Sequence, residues 1–358
     1  MSIRNLFSIQ DIPDDLWKNW WDGLYDLCCE IIADPAAFSE SCHGKILATL
    51  FYQPSTRTQF SFQSAMLRLG GSVFGFADAS NTSVDKGESL ADTVRIAANY
   101  SDAIVMRTIT EGAAKAAEMY SEVPVINAGD GGHFHPTQTL TDLTTISKLR
   151  GSLENFRIGL CGDLKYGRTV HSLINALARF PGVRFTLISS SELSLPDYMI
   201  EFMRDKKLDY VKAELLEDCV PELDVLYMTR VQRERLPVEL QEAKFREYIL
   251  TKEILSRAHK DMLVMHPLPR VGEIATDVDL DPRAVYFEQA RYGMYIRMAL
   301  LYNFLQQGRK TPPPVVGGTG TFNCSNDVCV TKDEPYLPPF LSASDNTRCG
   351  YCDKKLVL

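Results

Sequence analysis

Lys45-Ile-Leu-Ala-Thr-Leu-Phe-Tyr52 leads into Gln53-Pro-Ser-Thr-Arg-Thr58, and that turn opens Gln59-Phe-Ser-Phe-Gln-Ser-Ala-Met-Leu-Arg-Leu69. The first piece is an apolar, β-rich run bounded by a proline turn, and it reads as a buried strand. The last piece reads as a helix, with Ser55 as its N-cap and Pro54 stiffening the turn before it. The same order recurs along the chain. Strand-like runs at 102–107, 124–128, 157–161, 183–188, 224–228 and 262–265 alternate with helical stretches at 56–69, 90–98, 137–149, 168–179 and 196–205. This alternation predicts an α/β fold of two doubly wound parallel-sheet domains; four closely spaced cysteines in the tail add the expectation of a small zinc-ribbon-like module at the C-terminus. Ligands of such sheets sit at the carboxyl ends of strands, so the residues just after each strand matter most.

The 358 residues are 45% hydrophobic and 23% charged, ordinary globular composition with material for about two domains. A break near 149–155 separates two α/β halves, expected at 1–150 and 151–291, with an apolar helix at 292–308 packing back on the first. A Pro- and Gly-rich linker follows at 309–320, then a tail at 321–358. The net charge of −8 argues against general binding to nucleic acid or acidic membranes. Residues 1–13 hold no continuous apolar stretch, so no signal peptide is expected. No apolar run reaches the length of about 18 residues needed for a membrane span. The expected location is cytoplasmic, and no repeat of solenoid period is present.

The turn Ser55-Thr-Arg-Thr58 brings hydroxyls, an arginine fork and free backbone N–H groups to a helix N-terminus, a ready anion site that favours phosphate. The plainer alternative is an ordinary cap beside a solvated arginine. Ser83-Val-Asp-Lys86-Gly87-Glu88 taken alone is a solvated turn with a surface lysine. Arg107 closes an apolar strand, where it would hold an anion at the rim. In Gly129-Asp-Gly-Gly-His-Phe-His135-Pro136-Thr137-Gln138, His135 and Gln138 stand at a loop-to-helix junction, suited to polarising a carbonyl and holding an amide. In the second half, Gly162-Asp-Leu-Lys-Tyr-Gly-Arg168-Thr169 is not the dinucleotide fingerprint. Arg168 there and Arg230 in Met228-Thr-Arg230-Val-Gln232 suit a molecule with two carboxylates, although each taken singly reads as a surface arginine. His266-Pro267-Leu268-Pro269-Arg270 follows a third strand. One half thus offers a phosphate site and carbonyl-polarising groups, the other a dicarboxylate site. A cleft joining them would transfer an acyl group from a phosphorylated donor to a dicarboxylic acceptor.

Taken together and in order, these segments resemble the catalytic chain of the aspartate carbamoyltransferase family over roughly residues 1–308. Ser-Thr-Arg-Thr and His-Pro-x-Gln are shared across carbamoyltransferases, while Arg-x-Gln and His-Pro-Leu-Pro-Arg favour the aspartate members. The resemblance implies transfer of the carbamoyl group of carbamoyl phosphate to L-aspartate, the second step of de novo pyrimidine biosynthesis, with no cofactor in catalysis. It implies that Ser55, Thr56, Arg57 and Thr58 hold the phosphate, and that Arg107, His135 and Thr58 polarise the carbonyl. Gln138 and the Leu268 carbonyl, beside Pro269, would fix the amide. Arg168 and Arg230, aided by Thr169 and Gln232, would bind the aspartate carboxylates. Ser83 and Lys86 would reach in from a neighbouring subunit of a homotrimer. This chain departs from the family at Gln53, where relatives often have a glutamate that pairs with arginines corresponding to Arg168 and Arg235. Its loop before Lys86 is also one residue shorter than in the best-known relative.

The tail carries Cys324-x4-Cys329 and Cys349-x2-Cys352. Two close thiol pairs on separate turns suit a closed tetrahedral Zn²⁺ site, and so small a segment needs such a staple. Disulfides are the alternative in an oxidising compartment. The spacing resembles the zinc-binding part of the aspartate carbamoyltransferase regulatory chain, without room for its nucleotide-binding part between Gln307 and Cys324. The expectation is a fused module that packs on a catalytic subunit, stabilises the assembly and binds no nucleotide effector, with a higher assembly through the module as an open alternative. An independent zinc ribbon for another partner is the plainer reading. Rivals for the whole chain are a carbamoyltransferase with another acceptor, such as ornithine, and a non-catalytic scaffold. A scaffold would be expected to lose phosphate- or carbonyl-binding residues, and the matched positions are chemically intact apart from Gln53.

Overall fold

The computed structural model describes residues 3–231, 248–312, 324–334, 336–338 and 347–355. Two compact units emerge, one of Met1–Thr137 with Met294–Leu358 and one of Gln138–Gly293. In chain order the elements are α1 (Asp14–Ala33), β1 (Ile46–Phe51), α2 (Thr56–Arg68), β2 (Ser72–Phe76), α3 (Leu90–Tyr100), β3 (Ala103–Thr108), α4 (Ala113–Glu118), β4 (Val125–Asp130) and α5 (Pro136–Arg150). There follow β5 (Arg157–Cys161), α6 (Arg168–Leu177), β6 (Arg184–Ile188), α7 (Asp197–Asp205), β7 (Asp209–Ala213), α8 (Leu216–Cys219), β8 (Val225–Met228), α9 (Lys252–Leu255), β9 (Leu263–Met265), α10 (Tyr286–Leu305) and α11 (Val330–Asp333). The division between the units falls at the start of α5 and within α10.

The first unit holds a parallel sheet of order β2-β1-β3-β4, the second a parallel sheet of order β7-β6-β5-β8-β9. In the first, the chain runs outward from β1 to β2 and then returns to β3 on the other side. In the second it runs from β5 out to β7 and returns to β8. Each sheet therefore has one point where the winding reverses, between β1 and β3 and between β5 and β8. In open α/β sheets such reversal points are where ligands bind, at the strands' carboxyl ends. The central strands show no polar alternation because both faces are covered: Leu47, Ala48, Leu50 and Phe51 of β1 are all buried.

The expected strands and helices are found, with additions. The edge strands β2 and β7 escaped the sequence reading: Asp209 and Lys212 break up β7, and Gly75 interrupts the short apolar run of β2. Helix α1 also went unread, although Trp17, Trp21, Leu24, Cys28 and Ile31 bury one face at helical spacing. Helix α10 begins at Tyr286, ahead of the expected 292. Helix α5 has no polar face to find: Thr137, Thr139, Thr141, Asp142, Thr144 and Thr145 are all buried. Thr144 and Thr145 return their hydroxyl protons to the carbonyls of Leu140 and Thr141 at 2.7 Å, which lets a polar sequence sit inside.

Candidate active site and metal centre

In the first unit the turn after β1 meets Arg107 of β3 at the reversal point. Backbone N–H groups of Tyr52 and Gln53 donate to the Arg107 carbonyl at 2.8 and 3.3 Å, tying the end of β1 to the end of β3. Ser55 caps α2, and its hydroxyl reaches Thr58 Oγ1 at 3.1 Å. Thr58 is buried, while Thr56 and Arg57 are exposed on the opening turn, whose N–H groups and dipole favour an anion. Arg107 Nη1 donates to the Ala128 carbonyl on β4 at 3.0 Å, which aligns the guanidinium along the sheet's carboxyl edge. His135 is buried just before α5. Ser83 and Lys86 lie exposed on a 3-10 turn, and among the described residues their side chains make no hydrogen bond to the Ser55–Thr58 turn.

The second unit repeats the plan. Thr229 N donates to the Cys161 carbonyl at 2.8 Å, and Thr229 Oγ1 accepts from Asp163 N at 3.0 Å, joining the ends of β8 and β5. Gly162 lies at φ +114, and a Cβ there would come within 2.3 Å of the Thr229 carbonyl oxygen, so this close approach requires glycine. Asp163 turns the loop by accepting from Tyr166 N at 2.9 Å, which delivers buried Arg168 and half-buried Thr169 to the start of α6. Arg230 follows directly after Thr229, also half-buried. After β9, Leu268 adopts φ +56 and precedes a cis peptide bond to Pro269. Gln138 stands half-buried near the start of α5, its Nε2 donating to Asp142 at 2.8 Å. Gln232 and Arg235 lie outside the described residues.

In the tail, Cys324, Cys329, Cys349 and Cys352 are buried, and their sulfurs all lie within 4.8 Å of one another. The close pairs stand at 3.5 Å (Cys324–Cys352) and 3.8 Å (Cys329–Cys349), too far for the disulfide bond length of about 2.05 Å. Four sulfurs about 2.3 Å from a tetrahedral Zn²⁺ are about 3.8 Å apart, so the set fits a structural zinc. Asn326 N and Thr331 Oγ1 donate to the Cys324 and Cys329 sulfurs at 3.5 and 3.3 Å, the outer bonds a thiolate ligand needs.

The module lies within the first unit and shares its core. One apolar cluster runs from Val94, Ala97 and Ile104 across the alanines of α4 to Val330, Leu337, Tyr351 and the four cysteines. Gly112, at φ +81, lets Tyr351 approach: a Cβ there would meet the Tyr351 carbonyl at 2.6 Å. Main-chain bonds run both ways at Glu111, to Val328 O and from Val330 N, at 2.8 and 2.9 Å. The module also caps α3. Leu90 N and Ala91 N, without helical partners of their own, donate to Glu334 Oε1 at 2.7 Å and Tyr336 Oη at 3.0 Å. His133 joins Asp130 of β4 at 3.0 Å to Asp353 of the module at 3.2 Å. Burial opposes charge on His133, but the two carboxylates overrule it and raise its pKa to about 10.

Residues 4–148 match the family model described as aspartate/ornithine carbamoyltransferase, carbamoyl-P binding domain, and residues 154–304 match the Asp/Orn binding domain. The chain belongs to the aspartate/ornithine carbamoyltransferase family. Residues 317–357 match the metal binding domain of the aspartate carbamoyltransferase regulatory chain. The aspartate carbamoyltransferase catalytic subunit of Clostridium botulinum (strain Eklund 17B / Type B) is 54% identical over 295 residues, 82% of this chain and 96% of its own. The catalytic subunit of M. jannaschii aspartate transcarbamoylase superposes with a TM-score of 0.77 at 44% identity, covering 85% of this chain and 99% of that one. Trypanosoma cruzi aspartate transcarbamoylase, solved with carbamoyl phosphate and aspartate, gives 0.75 at 35% identity over 84% of this chain and 96% of that one.

This carbamoyltransferase therefore carries a catalytic-chain fold and a regulatory-chain metal domain in one polypeptide. The residues that interrupt the strand ends stand out in the sequence, whereas the buried polar residues behind them do not. Asp142, Tyr227, Gln289 and Glu273 were not singled out. A readable signal existed for one of them: Gln138 and Asp142 stand four apart on a helix, within reach of each other. Among the described residues, no helix is long and apolar enough to cross a membrane.

Proposed function

We propose that this chain transfers the carbamoyl group of carbamoyl phosphate to the amino group of L-aspartate, giving N-carbamoyl-L-aspartate and phosphate. The observation that carries the reading is the chemistry of the two reversal points. One holds a hydroxyl-and-arginine turn at the start of α2 beside Arg107, and the other holds Arg168 and Arg230 after β5 and β8. Family membership and the names of the relatives support it.

In this reading Ser55, Thr56, Arg57 and Thr58 bind the phosphate, and Arg107, His135 and Thr58 draw charge onto the carbamoyl oxygen. Gln138 and the Leu268 carbonyl, next to Pro269, accept from the carbamoyl NH₂. Arg168, Arg230, Thr169 and Gln232 hold the aspartate carboxylates. The aspartate amine attacks the carbamoyl carbon, whose oxygen takes up negative charge. The C–O bond to phosphate then breaks, and the departing phosphate takes the amine proton. No side chain is acylated, so rate comes from positioning and from preorganised positive charge around the oxyanion. Zinc holds the tail folded and takes no part in the reaction.

The reading extends to a homotrimer in which Ser83 and Lys86 serve a neighbouring copy. Exposed Phe60, Leu67 and Phe74 on α2 and β2 suit burial against such a copy. It also extends to a cytoplasmic enzyme that binds no nucleotide effector. Purified protein given carbamoyl phosphate with either aspartate or ornithine should consume aspartate alone. Carbamoylation of ornithine would sink the reading, and tight binding of cytidine or adenosine triphosphate would sink its regulatory part.

A further inference from the structure

We propose that Asp142, Tyr227, Gln289, His266 and Glu273 form a positioning network that sets both acceptors of the carbamoyl NH₂, the Gln138 side-chain oxygen and the Leu268 carbonyl. The proposal rests on the carbamoyl phosphate reading above. All the residues lie in the second unit.

Asp142 is fully buried and accepts from Gln138, Gln289 and Tyr227. Gln138 Nε2 and Gln289 Nε2 donate to Oδ1 at 2.8 and 2.7 Å, and the Tyr227 hydroxyl donates to Oδ2 at 2.9 Å. Oδ1 accepts from both amide nitrogens, so each glutamine must turn an N–H toward it. A glutamine amide is nearly symmetric in shape, and only its partners decide which end faces which way. Asp142 decides it for Gln138: nitrogen inward, oxygen outward, where an NH₂ group can donate to it. The same constraint turns Gln289 Oε1 away from Asp142, and there it accepts from His266 N at 3.0 Å.

The chain continues to the second acceptor. Leu268 N donates to His266 Nδ1 at 2.7 Å, so the ring proton sits on Nε2 and donates to Glu273 Oε1 at 2.6 Å. Burial raises the Glu273 pKa, but the bonds from His266 and from the N–H groups of Val271 and Gly272 outweigh it and bring it down to about 2. Glu273 is thus a lasting acceptor that keeps the ring in one tautomer. The ring in turn holds Leu268 at φ +56, a conformation a leucine seldom adopts unaided. With Asp142 and Tyr227 at 0%, Gln289 at 1% and His266 at 2% exposure, water cannot replace a lost partner.

Acetyl phosphate separates positioning from general damage. It carries a methyl where carbamoyl phosphate carries NH₂, so it uses the phosphate and carbonyl contacts and gives the two acceptors nothing to accept. In Asp142→Asn one amide hydrogen must face a donor, so either Gln138 turns over or Tyr227 loses its acceptor. The kcat/KM for carbamoyl phosphate should fall about 10- to 100-fold while the inhibition constant of acetyl phosphate holds within about twofold. Tyr227→Phe, which removes one atom and leaves the shape, should show the same selectivity at about 3- to 10-fold, and it decides the matter if Asp142→Asn does not fold. Equal weakening toward both phosphates, or no change toward either, overturns the network. A wild type that fails to carbamoylate aspartate removes the reading beneath it instead, so the two failures are distinguishable.

Discussion

Replacing His133 with glutamine should lower stability in a pH-dependent way. His133 is 13% exposed and spans Asp130 and Asp353 at 3.0 and 3.2 Å. Its pKa is 6.5 unperturbed and about 10 in the folded chain, the carboxylates having overcome burial. At about 1.4 kcal/mol for each tenfold change in proton affinity, the full rise corresponds to about 5 kcal/mol. Half of that, about 2–3 kcal/mol, is a fair working figure for a partly screened group between two carboxylates. The folded value is the higher one, so this stability is present in full below pH 6.5 and is lost as pH rises through about 10. His133→Gln should therefore melt about 5–10 °C below wild type at pH 6.5, and the gap should close toward pH 10. Asp353→Asn should show part of the gap, because Asp130 still holds the ring. Paired thermal melts of zinc-loaded proteins across that range measure it. A gap of constant size, or none at neutral pH, refutes the charge assignment.

Gly112→Ala should undock the tail. It places a Cβ 2.6 Å from the Tyr351 carbonyl at φ +81, a conformation and a clash that together cost about 2–4 kcal/mol. Faster zinc loss to a chelator would register it, with Gly23→Ala, where nothing lies within 4 Å, as the unchanged control. Stripping zinc, or Cys352→Ser, should expose the Leu90 and Ala91 amides that now donate to Glu334 and Tyr336. Their hydrogen exchange should speed up while that of β5 amides does not; unchanged exchange at Leu90 would refute the capping role. Gln53 Oε1 is buried without a hydrogen-bond partner among the described residues. Gln53→Glu, restoring the family's charge, should shift aspartate saturation to lower concentration, and superimposable curves would end that idea.

The strand ends were legible because they interrupt apolar runs with hydroxyls, arginines and histidines, and such interruptions have few uses other than turns and sites. The four cysteines were legible because their spacing is rare without a metal. The edge strands β2 and β7 were not, since β7 mixes Asp209 and Lys212 with its apolar residues and the apolar run of β2 is short and broken by Gly75. Asp142 was hidden for the opposite reason. It stands in a threonine-rich helix that looks like a surface helix and is in fact buried all round. Its partners Tyr227 and Gln289 lie far away in sequence and meet it only through the fold.

Fusing the metal module to the chain whose α3 and α4 it covers changes the statistics of docking. A separate subunit leaves its partner when diluted below the dissociation constant. A short covalent tether instead keeps the module at an effective concentration on the order of millimolar, whatever the protein concentration. Docking becomes a first-order equilibrium with a fixed ratio of one module per active chain, and no imbalance in expression can leave a catalytic unit bare.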